Sequence, residues 1–235
     1  MRRLATLLAC VLLALHFTGA AAAQERRVAL VVGANAYRSI EPLRNAVADA
    51  LAVAARLQGL GFEIVGPVLD PTHDAFNAAL DRFEAALQGA ALGVIFYAGN
   101  AVEVGGRDLL LPVDAPAATS ERQLRSRAID AQEMLAGALA RAPRVVMILD
   151  ACRDNPLPRD PARGNRPSVG GTRGLEPIEA PRRDDGGSLV VLAAASGEMA
   201  LDRLPGMDTD PNGLFTRHLL RSLANPARPL PALMG

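Results

Sequence analysis

One stretch constrains the fold more than any other: Pro143 to Pro156, which reads PRVVMILDACRDNP. After Arg144 it is apolar without a break to Leu149 and rich in β-branched side chains. A run so short and so apolar suits a strand buried on both faces of a parallel sheet. It ends in Asp150-Ala151-Cys152-Arg153-Asp154. Open α/β sheets place ligands and chemistry just beyond the carboxyl ends of their strands. Cys152 therefore reads as a candidate reactive group with a carboxylate two residues before it. The competing reading is a buried structural cysteine, since free Cys is among the most buried residue types.

Comparable runs recur along the chain. Arg27 to Gly33, Phe62 to Val65, Ala91 to Ala98 and Ser188 to Ser196 read as strands. Between them, Leu43 to Leu57, Asp74 to Leu87 and Gln132 to Ala140 carry apolar residues at helical spacing, and Asn212 to Leu223 reads as a final helix. Gly105-Gly106 joins two short runs within Val102 to Val113, a hairpin signal. Leu124 to Asp130 reads as irregular. Strands alternating with helices predict βαβ units, right-handed crossovers and a mostly parallel sheet with helices on both faces. The turn after the first strand holds only Gly33, so it lacks the glycine pattern of a dinucleotide site.

The N-terminus has the three-part layout of a secretory signal. Arg2 and Arg3 precede an apolar stretch to Phe17, and small residues run from Gly19 to Ala23. Residues 1–23 read as a signal peptide and 24–235 as one domain. The expected location is therefore exported, periplasmic or secreted, with no membrane attachment once the signal is cut. Arginine supplies all 25 basic residues against 25 acidic ones, and there is no Trp. That balance supplies neither the basic excess nor the aromatic platform of a nucleic-acid binder. Losing Cys10 with the signal leaves Cys152 as the single cysteine, and an odd thiol in an exported protein suggests a reactive group or an intermolecular pair. No spacing of Cys and His supports a metal site, and no cofactor is indicated.

Several stretches together resemble the caspase-like cysteine peptidases, most closely the bacterial metacaspase-like branch. They are VALVVGANAY, GVIFYAGNA with the following GGRDLLLPVD, VVMILDACRDNP, RGLEPIEAPR and LVVLAAASGEMALD. The match runs from about Arg27 to Leu223. It implies a caspase-like three-layer α/β/α sandwich, with a large-subunit-like part at 27–152 and a loop at 153–187. A small-subunit-like part follows at 188–235, its last element missing or cut short. It also implies a thiol nucleophile with a histidine base, cleaving after a basic residue. Cys152 matches the nucleophile. Asp150 matches an acid that holds the basic substrate side chain, and Asp202 matches a second; two carboxylates can grip a guanidinium as a fork. The other reading of Asp202 is a solvated loop charge.

The chain departs from this family where it matters most. The family has His-Gly after the glycine of the third strand; here the residues are Asn100-Ala101. An amide has no lone pair that titrates near neutral pH, so Asn100 orients by hydrogen bonding but takes no proton. An unassisted thiol has a pKa of ~8.5, and losing a triad member costs about 10⁴- to 10⁶-fold in turnover. His73, on a strand end away from Cys152, and His218, inside the last helix next to core leucines, read as ordinary surface or packed histidines. Three readings stand. The first is an exported caspase-like pseudopeptidase, inactive or weak, that binds proteins or peptides with exposed Arg or Lys. The second is an active endopeptidase cutting after Arg or Lys, using Cys152 with a substitute base. The third is a non-catalytic α/β binding or scaffold module. Arg153 to Gly187 carries seven arginines in a Pro- and Gly-rich stretch. It reads either as a site of self-processing or as a solvated linker.

Overall fold

The chain order of elements in the computed structural model is β1 (Arg27–Gly33), α1 (Ala46–Gly59), β2 (Glu63–Leu69), α2 (His73–Ala86), β3 (Leu92–Val104), β4 (Arg107–Leu110), α3 (Glu121–Arg125), β5 (Ile129–Asp130), α4 (Ala131–Leu139), β6 (Arg144–Cys152), β7 (Arg159–Asp160), β8 (Arg166–Pro167), β9 (Gly187–Leu192) and α5 (Leu214–Leu223). The structure describes residues 25–118, 120–152, 155, 157–164, 166–167, 169, 178, 187–193 and 208–224.

Five strands pair in parallel in the order β2-β1-β3-β6-β9. The apolar runs of β1, β3 and β6 make this sheet buried on both faces. Alternate residues of each strand feed two separate cores. Val28, Leu30, Ile95, Tyr97, Met147 and Leu149 pack with Phe76 and Phe83 of α2 and Met134 and Leu135 of α4. Ala29, Val31, Phe96, Ala98 and Ile148 pack on the opposite side with Ala50, Val53 and Leu57 of α1 and Leu219 of α5. The result is the expected three-layer α/β/α sandwich. Three helices start at side-chain caps that the sequence supplies, with Ser120 ahead of α3. The Thr72 hydroxyl accepts from Ala75 N at 3.3 Å ahead of α2, and Asp130 accepts from Gln132 N and Glu133 N ahead of α4.

Several boundaries differ from the sequence reading. β2 runs on to Leu69 through Gly66-Pro67 instead of stopping at Val65. It is an edge strand, where a missing N–H breaks no ladder on the open side. β3 does not end at Ala98 but continues to Val104, pairing in parallel with β6 up to Asn100 and antiparallel with β4 from Ala101. The hairpin turn falls at Gly105-Gly106 as expected, both with positive φ. The stretch read as irregular, 124–130, contains the end of α3 and all of β5. Part of 153–187 is also built in. β7 and β8 form a small hairpin, and Leu157, Val169 and Ile178 are buried in the cores, so these positions are not a solvated linker. β9 ends at Leu192 with Ala193 following it as a bend; residues 194–196 of the expected strand lie outside the described residues, as do residues 225–235.

Candidate functional site

The parallel register between β3 and β6 ends on one pair, Asn100 opposite Cys152. Two residues earlier, Ala98 stands opposite Asp150. Asn100 and Cys152 therefore occupy adjacent positions at the carboxyl ends of two neighbouring strands, the place where this class of sheet carries its chemistry.

Residue 100 is held from both sides by phenols. Its N–H donates to Tyr37 Oη at 2.7 Å, and its carbonyl accepts from Tyr97 Oη at 2.7 Å and from Leu111 N at 2.9 Å. The two phenol oxygens lie 3.3 Å apart, and the Tyr97 ring stacks on Phe76 of α2 with centroids 6.0 Å apart. A side chain at Gly99 would put its Cβ 2.5 Å from Tyr97 Oη and 2.8 Å from Tyr37 Oη, so glycine is needed here for space. The Asn100 side chain is 2% exposed, and its Nδ2 is buried with no hydrogen-bond partner. Leaving a buried donor unpaired costs roughly 1–3 kcal/mol. The position is rigid and preorganised, yet it carries an amide that cannot accept a proton. Sequence reading missed both tyrosines; Tyr37 lies 63 residues from the backbone it holds.

Asp150 has a partner from the far end of the chain. Its Oδ2 accepts from Thr216 Oγ1 at 2.8 Å, and Thr216 is fully buried in the first turn of α5. A second carboxylate, the buried Asp49 of α1, accepts from Gly213 N and from Asn212 Nδ2, each at 2.9 Å. Two carboxyl groups thus meet the N-terminal end of α5, the end where the helix dipole favours acidic side chains. On the outer side Arg217 grips Asp208 through two contacts of 3.2 and 2.6 Å. These bonds hold its guanidinium above the usual range, against the opposing pull of burial. Asp49→Ala strips two donors of their acceptor. It is expected to destabilise the fold by about 2 kcal/mol, read as a lower urea midpoint at unchanged slope. Asp49→Asn should cost less, because it keeps an acceptor there.

The remaining candidates lie apart. His73 is the first residue of α2 and borders a cavity of about 470 Å³ between that helix and the α3–α4 segment, walled also by Asn77, Asp81, Arg125 and Glu133. That cavity includes neither Asn100, Asp150 nor Cys152. His218 is exposed on α5. Asp202 and most of the arginine-rich stretch lie outside the described residues.

Comparison with known proteins bears on the fold and the family. Over 90 residues the chain is 33% identical to mucosa-associated lymphoid tissue lymphoma translocation protein 1 of Homo sapiens and 32% identical to its homologue in Mus musculus. Those matches cover 38% of this chain and 11% of each relative, so the chain spans about a tenth of the length of these curated relatives. The fold is similar to the crystal structure of caspase-1 from Spodoptera frugiperda, with a TM-score of 0.57 at 15% identity over 89% of this chain and 74% of that one. A family model described as the caspase domain, Peptidase_C14, matches residues 26–234. With a parallel sheet whose register ends on Asn100 and Cys152, and a domain match that spans nearly all of the described residues, this chain belongs to the caspase-domain family.

Proposed function

We propose that this chain is an exported caspase-like pseudopeptidase, which binds protein segments bearing exposed Arg or Lys and cuts them slowly or not at all. The observation that carries this reading is the residue beside Cys152. Asn100 stands opposite Cys152 in the strand register; we read it as standing where the family carries its histidine, and its amide cannot remove a proton from the thiol. Neither histidine of the mature chain supplies a substitute, since His218 is exposed on α5 and His73 borders the cavity beside α2. Asp150 remains on the strand of Cys152 and keeps part of its surface open to solvent, so a cationic side chain still has a carboxylate to meet. Residues 1–23 direct export, and residues 24–235 act as the domain. The test is hydrolysis of a fluorogenic Arg-terminated peptide by the mature chain. The expected rate is within about tenfold of the Cys152→Ala variant. A wild-type rate about 10²-fold or more above that variant, the scale a positioned base supplies, would make the chain a working endopeptidase and overturn the reading.

A further inference from the structure

The contact between Thr216 and Asp150 joins the last described helix to the strand that carries the thiol. Thr216 is a polar side chain with no exposed surface, and its hydroxyl donates to Asp150 Oδ2 at 2.8 Å. Asp150 lies two residues before Cys152. The first turn of α5 is wedged between two carboxylates. A Cβ on Gly213 would stand 3.2 Å from Asp49 Oδ2 and 3.9 Å from Asp150 Oδ2. Asp49 fixes the end of the helix through Gly213 N and Asn212 Nδ2, so the hydroxyl that meets Asp150 is delivered from a clamped position. The two contacts span 163 and 66 residues and cross the whole 153–187 stretch.

We propose that Thr216 is a positioning residue for the recognition of basic side chains, fixing the rotamer of Asp150 so that its carboxylate is presented to a bound cation. This rests on the reading of Asp150 as part of a basic-residue site. A carboxylate whose Oδ2 accepts a donated hydrogen bond loses fewer rotamers when a cation binds, and preorganisation of this kind strengthens binding without adding a contact. It also sets direction. A hydroxyl on Oδ2 biases the direction in which the carboxylate faces a cation, and a fixed direction favours the planar fork of Arg over the rotating ammonium of Lys.

The test uses the full mature chain carrying Cys152→Ala, so that nothing is cut, and fluorescein-labelled peptides identical except for a terminal Arg, Lys or Gln. Binding is read by fluorescence anisotropy, and folding by thermal unfolding of each variant. In the parent, the Arg peptide is expected to bind more tightly than the Lys peptide, and both more tightly than the Gln peptide. Thr216→Val keeps the shape and removes the donor. It is expected to weaken the Arg peptide about tenfold, bring the Arg-to-Lys ratio toward one, and leave the Gln peptide unchanged. Thr216→Ser keeps the donor and should restore the ratio. If Thr216→Val does not fold, the same ratio compared between Thr216→Ser and Thr216→Ala decides, because only the first retains the hydroxyl. A parent with no preference for Arg over Gln overturns the basic-residue reading and this proposal together. A parent with that preference, unchanged in a folded Thr216→Val, overturns this proposal alone. The same holds if Thr216→Ser loses the preference as fully as the variants without a hydroxyl.

Discussion

Replacing Asn100 by His is expected to switch on hydrolysis of Arg-terminated peptides, raising turnover roughly 10²- to 10⁴-fold over the wild-type chain, the usual contribution of a positioned general base. The backbone for this base is already in place. Residue 100 is opposite Cys152 in the register, its N–H is held by Tyr37 and its carbonyl by Tyr97. A base placed there needs no rearrangement of the strand. The substitution has a steric cost, because the Asn100 side chain is 2% exposed and imidazole is larger. Overpacking of this kind typically costs about 1–3 kcal/mol, so thermal unfolding of the variant accompanies the assay. The pH profile supplies an independent check. The base works only when unprotonated, so the new activity should fall as pH drops through the ordinary imidazole pKa of about 6.5. The double variant with Cys152→Ala must be silent. A folded Asn100→His that stays silent at every pH would mean that position 100 is not the missing group.

The elements that carry the sheet were legible because their signal is local. The β-branched runs of β1 and β6 leave few alternatives to a buried strand, and the four long helices showed their apolar spacing. What escaped was the continuation of β3. Gly99-Asn100 reads as a strand end, since glycine and asparagine are strand breakers in isolation. In the fold, the phenols of Tyr37 and Tyr97 fill the space a side chain would take and bond both backbone groups of Asn100. Similarly, nothing local marks Asp49 or Thr216. Each looked like one more residue of an amphipathic helix, and each takes its meaning from a partner more than sixty residues away. For the candidate pair, the sequence offered the two residues but not their pairing. The motif pointed to Cys152 and to the departure at Asn100, and only strand pairing put them side by side.

The same close packing predicts the largest stability effect of a small substitution. Gly33 closes β1 where α1 crosses it, and a Cβ there would lie 2.5 Å from the backbone oxygen of Ala46 and 2.7 Å from the Ala50 side chain. Neither atom belongs to a flexible side chain that can swing aside. Ala46 is the first residue of α1, so relief requires the helix to move off the sheet, opening its contact with Ala29, Val31 and Phe96. Gly33→Ala is therefore expected to cost roughly 3 kcal/mol or more, at the upper end of overpacking. For a domain of this size that lowers the melting temperature by roughly 6–12 °C. Gly59→Ala supplies the contrast. It lies at the other end of the same helix with nothing within 4 Å of an added Cβ, and its φ is not positive. There the same chemical change should be neutral or stabilising by up to about 1 kcal/mol, through restriction of the unfolded chain. Because α1 also carries Asp49, which clamps the first turn of α5, Gly33→Ala should disturb the Thr216–Asp150 contact as well. Calorimetric melts of the two variants separate the cases. Equal shifts for Gly33→Ala and Gly59→Ala would show that the sheet and helix yield at the first site, and that the close approach there does not govern stability.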